Sequence, residues 1–215
     1  MFPIGDDNTQ RRSLPVVTYA LIALNALFFL LELSGGDAFV QRWAFVPQRF
    51  SMDPYGTIPT IFTAMFMHAG LLHLGGNMLY LWIFGDNIED RLGPIGFLIF
   101  YLGCGIAATL AQYYVAPHSR IPNVGASGAI AGILGSYLLL FPHARVRVLL
   151  YNQIVTMPAI YVLGFWIALQ LLAGAGSIFS TAQSEDTGGV AYMAHVGGFA
   201  AGFLITLLLR GHGPR

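Results

Sequence analysis

Charged side chains are confined to a few short clusters in this chain, and the stretches between them are long enough to cross a membrane. Residues 13–31, 54–85, 92–119, 121–144, 148–184 and 187–209 contain no Asp, Glu, Lys or Arg. A bilayer core takes ~20 apolar residues of helix, so each stretch can hold one span. Charged residues make up 9% of the chain, against about 25% in soluble domains. These features predict an all-α membrane protein, a six-helix bundle filling nearly the whole chain as one domain. The ten basic residues are all Arg and are balanced by ten acids, which argues against a nucleic-acid partner. The single cysteine, Cys104, lies in an apolar stretch, so no intrachain disulfide is expected.

The expected spans are about 14–33, 64–84, 95–115, 127–141, 151–173 and 190–209. Residues 1–13 are then a polar N-terminal segment and 210–215 a tail. The first apolar stretch is too long for the core of a signal peptide and reads as an uncleaved span. Arginine placement orients the bundle. Arg11, Arg12, Arg91, Arg145, Arg147, Arg210 and Arg215 fall on one side, and Arg42, Arg49 and Arg120 on the other. Seven against three puts both termini in the cytoplasm. The connection 34–59 sets Trp43, Phe45, Phe50 and Tyr55 beside Arg42 and Arg49, which suits the outer headgroup layer. Residues 174–189 are rich in Gly, Ser and Thr and are expected to form a loop that could act as a lid. A short chain with no added soluble domain is expected in a prokaryotic cytoplasmic membrane.

The fourth span is the unusual one. Pro122 and Gly125 disfavour helix before it, and Pro142 ends it. About fifteen residues give ~22 Å, short of a ~30 Å core. Arg145 and Arg147 pin its end to the cytoplasmic face, so Ser127 should lie ~8 Å below the outer edge of the hydrocarbon. The non-helical backbone before Ser127 must then be buried in protein or line a watery cavity. On the same ruler His195 lies ~22 Å above the cytoplasmic edge, His73 ~20 Å, and Asn77 one turn deeper. His68 falls near the outer surface. Polar groups from three spans thus share a depth.

A hydroxyl and an imidazole inside apolar helices are costly unless they pair or work, and together they are a nucleophile and its base. Ser127 opens the fourth span within Gly125-Ala126-Ser127-Gly128, and His195 lies in the sixth within Ala194-His195-Val196-Gly197-Gly198. The same residues also admit a packing role. Gly128, Gly132 and Ser136 share one helix face, and Gly198 and Gly202 another, as small-xxx-small contacts do. His73 and Asn77, four apart, share a face of the second span. Zinc is disfavoured: His68 and His73 would lie about 140° apart on a helix, no His-Glu-x-x-His is present, and the spans hold no mid-helix acid. That also excludes a pair of buried aspartates. Two further classes fit six helices around a polar His/Ser/Asn site: a non-catalytic protein that binds membrane helices, and a proton or small-solute transporter.

Taken together and in order, His68-x4-His73-x3-Asn77, Gly125-x-Ser127-Gly128 and Ala194-His195-x2-Gly198-x3-Gly202 resemble the rhomboid family of intramembrane serine proteases. The Glu89-Asp90-Arg91-Leu92-Gly93 turn resembles the family's turn between its second and third helices. The resemblance implies Ser127 as nucleophile, His195 as general base, and His73, Asn77 and the Ser127 backbone N–H as oxyanion donors. Gly125, Gly128, Gly198, Gly202 and His68 would support them. It implies transmembrane protein substrates cut near the outer face of the bilayer, with no cofactor and no metal. Two positions depart from some members: Ala131 stands where an aromatic residue packs under the histidine, and Arg42-Trp43 reverses a pair in the first loop. With no carboxylate at the depth of His195, a dyad is expected, its imidazole oriented by packing.

Overall fold

The computed structural model describes residues 2–9, 11–180 and 191–210, with no side-chain description for 177–180. Helices dominate it. Among the described residues four are long and apolar enough to cross a membrane: α1 (Val16–Trp43), α5 (Leu71–Val115), α7 (Ala159–Ser180) and α8 (Tyr192–Arg210). A shorter apolar helix, α6 (Ser127–Leu140), runs between them. Three short helices, α2 (Pro47–Met52), α3 (Pro54–Thr57) and α4 (Thr60–Thr63), fill the connection from α1 to α5. The first two start on prolines, whose fixed φ suits a first helical turn.

Helix α5 is two helices in one run. Gly93 has φ 72° and is followed by Pro94, a conformation open to glycine and closed to most residues. A Cβ at Gly125 would touch the ring of His73, and one at Gly128 would touch Ala108. As a straight rod, the helix from His73 to Ala108 would span ~52 Å, yet its two ends meet residues only three apart, Gly125 and Gly128, at the start of α6. The chain therefore doubles back at Gly93. The acidic residues before this bend fix α1. Glu89 accepts hydrogen bonds from the backbone N–H of Val17 (2.9 Å) and Thr18 (2.7 Å) and from the Thr18 hydroxyl (2.7 Å). Those are the donors a helix N-terminus leaves unpaired, and a carboxylate suits that end of the dipole.

The bundle centres on α6, every residue of which from Gly128 to Tyr137 is buried. It meets α8 backbone to backbone: a Cβ at Gly198 would collide with the Gly128 carbonyl, and one at Gly202 with that of Gly132. A buried hydrogen bond from Thr206 to Ser136 (2.8 Å) joins the same pair further along. Without a hydrophobic drive between helices in lipid, such close approach is what holds them. α7 touches the bundle less, turning Tyr161, Phe165, Leu169 and Leu172 outward.

Several sequence expectations change. The chain is not purely helical. β1 (Phe2–Asp6), β2 (Arg145–Leu150) and β3 (Gln153–Pro158) form an antiparallel sheet in the order β1-β2-β3. The run Arg145-Val-Arg-Val alternates with a strand's period, burying Val146 and Val148, and Tyr151 at φ 56° takes the turn. The fifth span therefore starts at Ala159 rather than 151, and helix continues through 174–180 where a loop was expected. Residues 181–189 of that loop lie outside the described residues. The second span starts at Leu71 rather than 64, because the chain makes a 3₁₀ turn over Ala64–Phe66 and stays non-helical to Gly70. The first continues past its expected end to Trp43, kinked at Gly36.

The sheet is tied to the bundle through Asp6, which accepts from the Tyr137 hydroxyl (2.7 Å) and from Asn87 (2.7 Å), beside an Arg11–Asp86 ion pair (2.8 Å). Burial pushes the Asp6 carboxyl up to about 6, against the hydrogen bond from Tyr137 and with help from the Asp86 charge. A carboxyl raised in the folded state binds its proton more tightly there. Its contribution to stability is full below about pH 4 and is lost as pH rises to about 6. Asp6→Asn should make the melting temperature in detergent vary less between those pH values. Parallel pH curves for the two proteins would contradict this.

Candidate active site

The site is assembled at the N-terminal end of α6. Gly125 has φ 128°, which only glycine takes without strain, and its missing Cβ leaves room for His73. The backbone leading to it is non-helical and held by protein. Asn123 N–H donates to Phe45 O (2.7 Å), and Gly125 N–H to Ala64 O (2.8 Å). Irregular backbone within a membrane protein needs partners of this kind. Ser127 then starts the helix, where the first N–H groups lack intrahelical partners.

Ser127 Oγ lies 2.8 Å from His195 Nε2. The two residues come from α6 and α8, whose glycine contacts set the separation between them. The other ring nitrogen of His195, Nδ1, lies 2.8 Å from Gln170 Oε1 on α7. The indole of Trp166, one turn before Gln170, lies against the imidazole at 5.9 Å between ring centroids, tilted by 39°. Ala131, fully buried on α6, carries no ring to set against the histidine. Trp166 supplies the aromatic wall from α7 instead.

His73 and Asn77 stand one turn apart on α5 and line, with Ser127 and His195, a cavity of about 780 Å³. Asn77 is 8% exposed, and its Nδ2 has no hydrogen-bond partner among the described residues. A buried amide donor without a partner costs free energy, and here it stands in the wall of the cavity that holds the serine. A second cavity of about 230 Å³ runs between α5 and α7, touching Leu72, Gly76, Tyr80 and Trp166 as well as the four polar residues.

The structure thus brings together Ser127, His195, His73 and Asn77, with Gly125, Gly128, Gly198 and Gly202 at the contacts that seat them. His68 stands apart from the cavity wall. It lies before α5, is 1% exposed, and packs its ring edge-on against His73 at 5.2 Å, while Glu32 accepts its backbone N–H (2.9 Å). The helical angle expected between His68 and His73 does not apply, because His68 precedes the helix. Among the described residues no three His, Cys, Asp or Glu side chains gather as a metal site. Arg42 lies over the Trp43 ring at 5.0 Å, at the end of α1 and outside the site. Sequence reasoning missed Gln170 and Trp166. A signal existed: Gln170 is the one amide in α7, and the cost argument that singled out His195 applies to it equally.

A family model described as "Rhomboid domain" matches residues 55–212. Three relatives illustrate the likeness. "Rhomboid protease GluP" of Bacillus subtilis is 32% identical over 197 residues, 91% of this chain and 35% of that protein. "Rhomboid protein 1, mitochondrial" of Saccharomyces cerevisiae is 31% identical over 193 residues, 87% of this chain and 51% of that protein. "Rhomboid-like protein 11, chloroplastic" of Arabidopsis thaliana is 28% identical over 188 residues, 86% and 65% of the two chains. This chain spans about a third of the length of the first and about half of the second.

Proposed function

Because this chain belongs to the rhomboid family of integral membrane proteins, we propose that it is an intramembrane serine endopeptidase. Its substrates are membrane proteins, cut in or beside a transmembrane segment. The observation that carries this reading is the 2.8 Å approach of Ser127 Oγ to His195 Nε2 in the wall of a cavity large enough for a peptide segment. A serine hydroxyl is a poor nucleophile until a base takes its proton. Ser127 Oγ attacks the scissile carbonyl carbon as its proton passes to His195 Nε2. The carbonyl π electrons move onto oxygen, and the tetrahedral oxyanion forms. Collapse restores the carbonyl and expels the amine, which takes the proton from His195. Water then repeats the sequence on the acyl-Ser127 ester and frees the enzyme.

The oxyanion needs donors placed where its charge develops. The Ser127 N–H at the α6 N-terminus is one, favoured by the helix dipole. Asn77 Nδ2 and the His73 ring are the others, reaching in from α5. Because Asn77 Nδ2 has no hydrogen-bond partner among the described residues, removing it breaks no hydrogen bond there. Asn77→Ala should therefore lower kcat by about 10²-fold, the low end for one donor of a set, with an unchanged melting temperature. A fallen melting temperature with full activity per folded molecule would make Asn77 a packing residue.

We further place six crossings in the membrane: α1, the two arms of α5 on either side of Gly93, α6, α7 and α8. Both termini are then cytoplasmic, as in a prokaryotic inner membrane, and Ser127 faces the opposite side. α7 is the gate through which a substrate helix enters, supported by its outward apolar face and the cavity between it and α5. A membrane-impermeant, serine-directed phosphonate tests the reading. It should label Ser127 when added from the side opposite the termini. Absence of label on Ser127 would return the protein to the non-catalytic, helix-binding class, and labelling only from the side of the termini would invert the orientation.

A further inference from the structure

We propose that Gln170 is a positioning residue that holds His195 in the one tautomer able to act as a base, so that the dyad works as a relay of three side chains on three helices. This rests on Ser127 and His195 being the nucleophile and base. The geometry is Gln170 Oε1 at 2.8 Å from Nδ1 and Ser127 Oγ at 2.8 Å from Nε2, on opposite edges of one ring. An amide oxygen has lone pairs and no hydrogen. Facing it, Nδ1 must carry the ring proton of neutral imidazole. Nε2 is then bare and accepts the Ser127 hydroxyl proton. In the opposite tautomer two lone pairs would face each other at Gln170, and Nε2–H would point at the serine it should deprotonate. The partner of one ring nitrogen thus sets the role of the other.

In a serine triad this task falls to a carboxylate. Among the described residues the groups facing His195 are His73 from α5, Ser127 from α6, and Trp166 and Gln170 from α7. None is a carboxylate. A neutral amide can orient the ring without the charge that would also stabilise its imidazolium. Trp166, one turn from Gln170 on the same face, closes the side of the ring and limits its rotation. The arrangement also couples chemistry to α7: if the helix moves outward, the amide oxygen leaves Nδ1, and the base loses its fixed tautomer.

Two variants of Gln170 separate positioning from packing. Gln170→Leu keeps the bulk and loses the acceptor. It should lower kcat about ten- to a hundredfold, a fraction of what a general base supplies, with KM and melting temperature near wild type. Its rate of phosphonate labelling at Ser127 should fall in parallel. Gln170→Glu keeps the acceptor and adds a negative charge beside Nδ1. It should retain turnover and move the acidic limb of the kcat/KM profile upward by about one pH unit or more, since a nearby anion favours the imidazolium. Wild-type labelling and turnover rates in Gln170→Leu would overturn the role of Gln170 alone, as would an unmoved acidic limb in Gln170→Glu. Absence of label on Ser127 in the wild type would overturn the nucleophile, and this proposal with it.

Discussion

Ser127→Ala and His195→Ala are each expected to reduce peptide-bond cleavage to background, a loss of more than about 10⁴-fold. The double variant should be no worse than either. The two groups act as one unit: without the hydroxyl there is nothing to acylate, and without the imidazole nothing takes its proton. Residues acting as a unit are non-additive in this way. Ser127→Ala removes a single oxygen whose partner is His195 Nε2, so the fold should be intact and the melting temperature close to wild type. The check is turnover of a single-span substrate, with melting measured on the same preparations. A double variant ten times slower than either single one would mean that the serine and histidine contribute independently.

Gly198→Ala is expected to be nearly as damaging for a different reason. One added methyl at this position meets the Gly128 carbonyl, a backbone atom that cannot rotate away. The same holds for Gly202 against Gly132. To accept the methyl, α8 must back away from α6, and His195 moves with it. Overpacking of this kind costs about 1–3 kcal/mol, occasionally more. A shift of 1 Å at the reacting atoms can cost about 10² in rate. Both melting temperature and turnover should therefore fall. Gly103→Ala is the matched control, since nothing lies within 4 Å of a Cβ there, and it should behave as wild type. Melting of all three proteins in one detergent decides it. Gly198→Ala melting with Gly103→Ala would mean that the helices are not held by close approach.

The glycines at this contact were open to two roles in the sequence. Two readings of the small residues, packing and catalysis, competed there, and the close helix contact serves both. Gly128 and Gly198 are the contact that brings Ser127 to His195. The shortness of α6 and the non-helical backbone before it were legible because Pro122, Gly125 and Pro142 bracket it and because a bilayer has a fixed thickness. The sheet was missed because Arg145–Leu150 sits between apolar stretches and was read by hydropathy, while its signal was the two-residue alternation of Arg and Val. The boundary at Leu71 was missed because Ala64–Gly70 is as apolar as the helix that follows. Gln170 was passed over although it is an amide among apolar residues, and Trp166 was missed because its meaning depends on which face of α7 turns inward. That is decided by packing against α8 and is not written in the local sequence.

If Ser127 and His195 form the proposed dyad, they cut peptide bonds at membrane depth. The most direct measurement is cleavage of a single-span reporter by the purified protein in liposomes, with the cut mapped by mass spectrometry and Ser127→Ala run beside it. One cut is expected, in the half of the span away from the side that holds the protein's termini, and none with Ser127→Ala. An intact reporter beside folded wild-type protein, or the same product from both proteins, would contradict it.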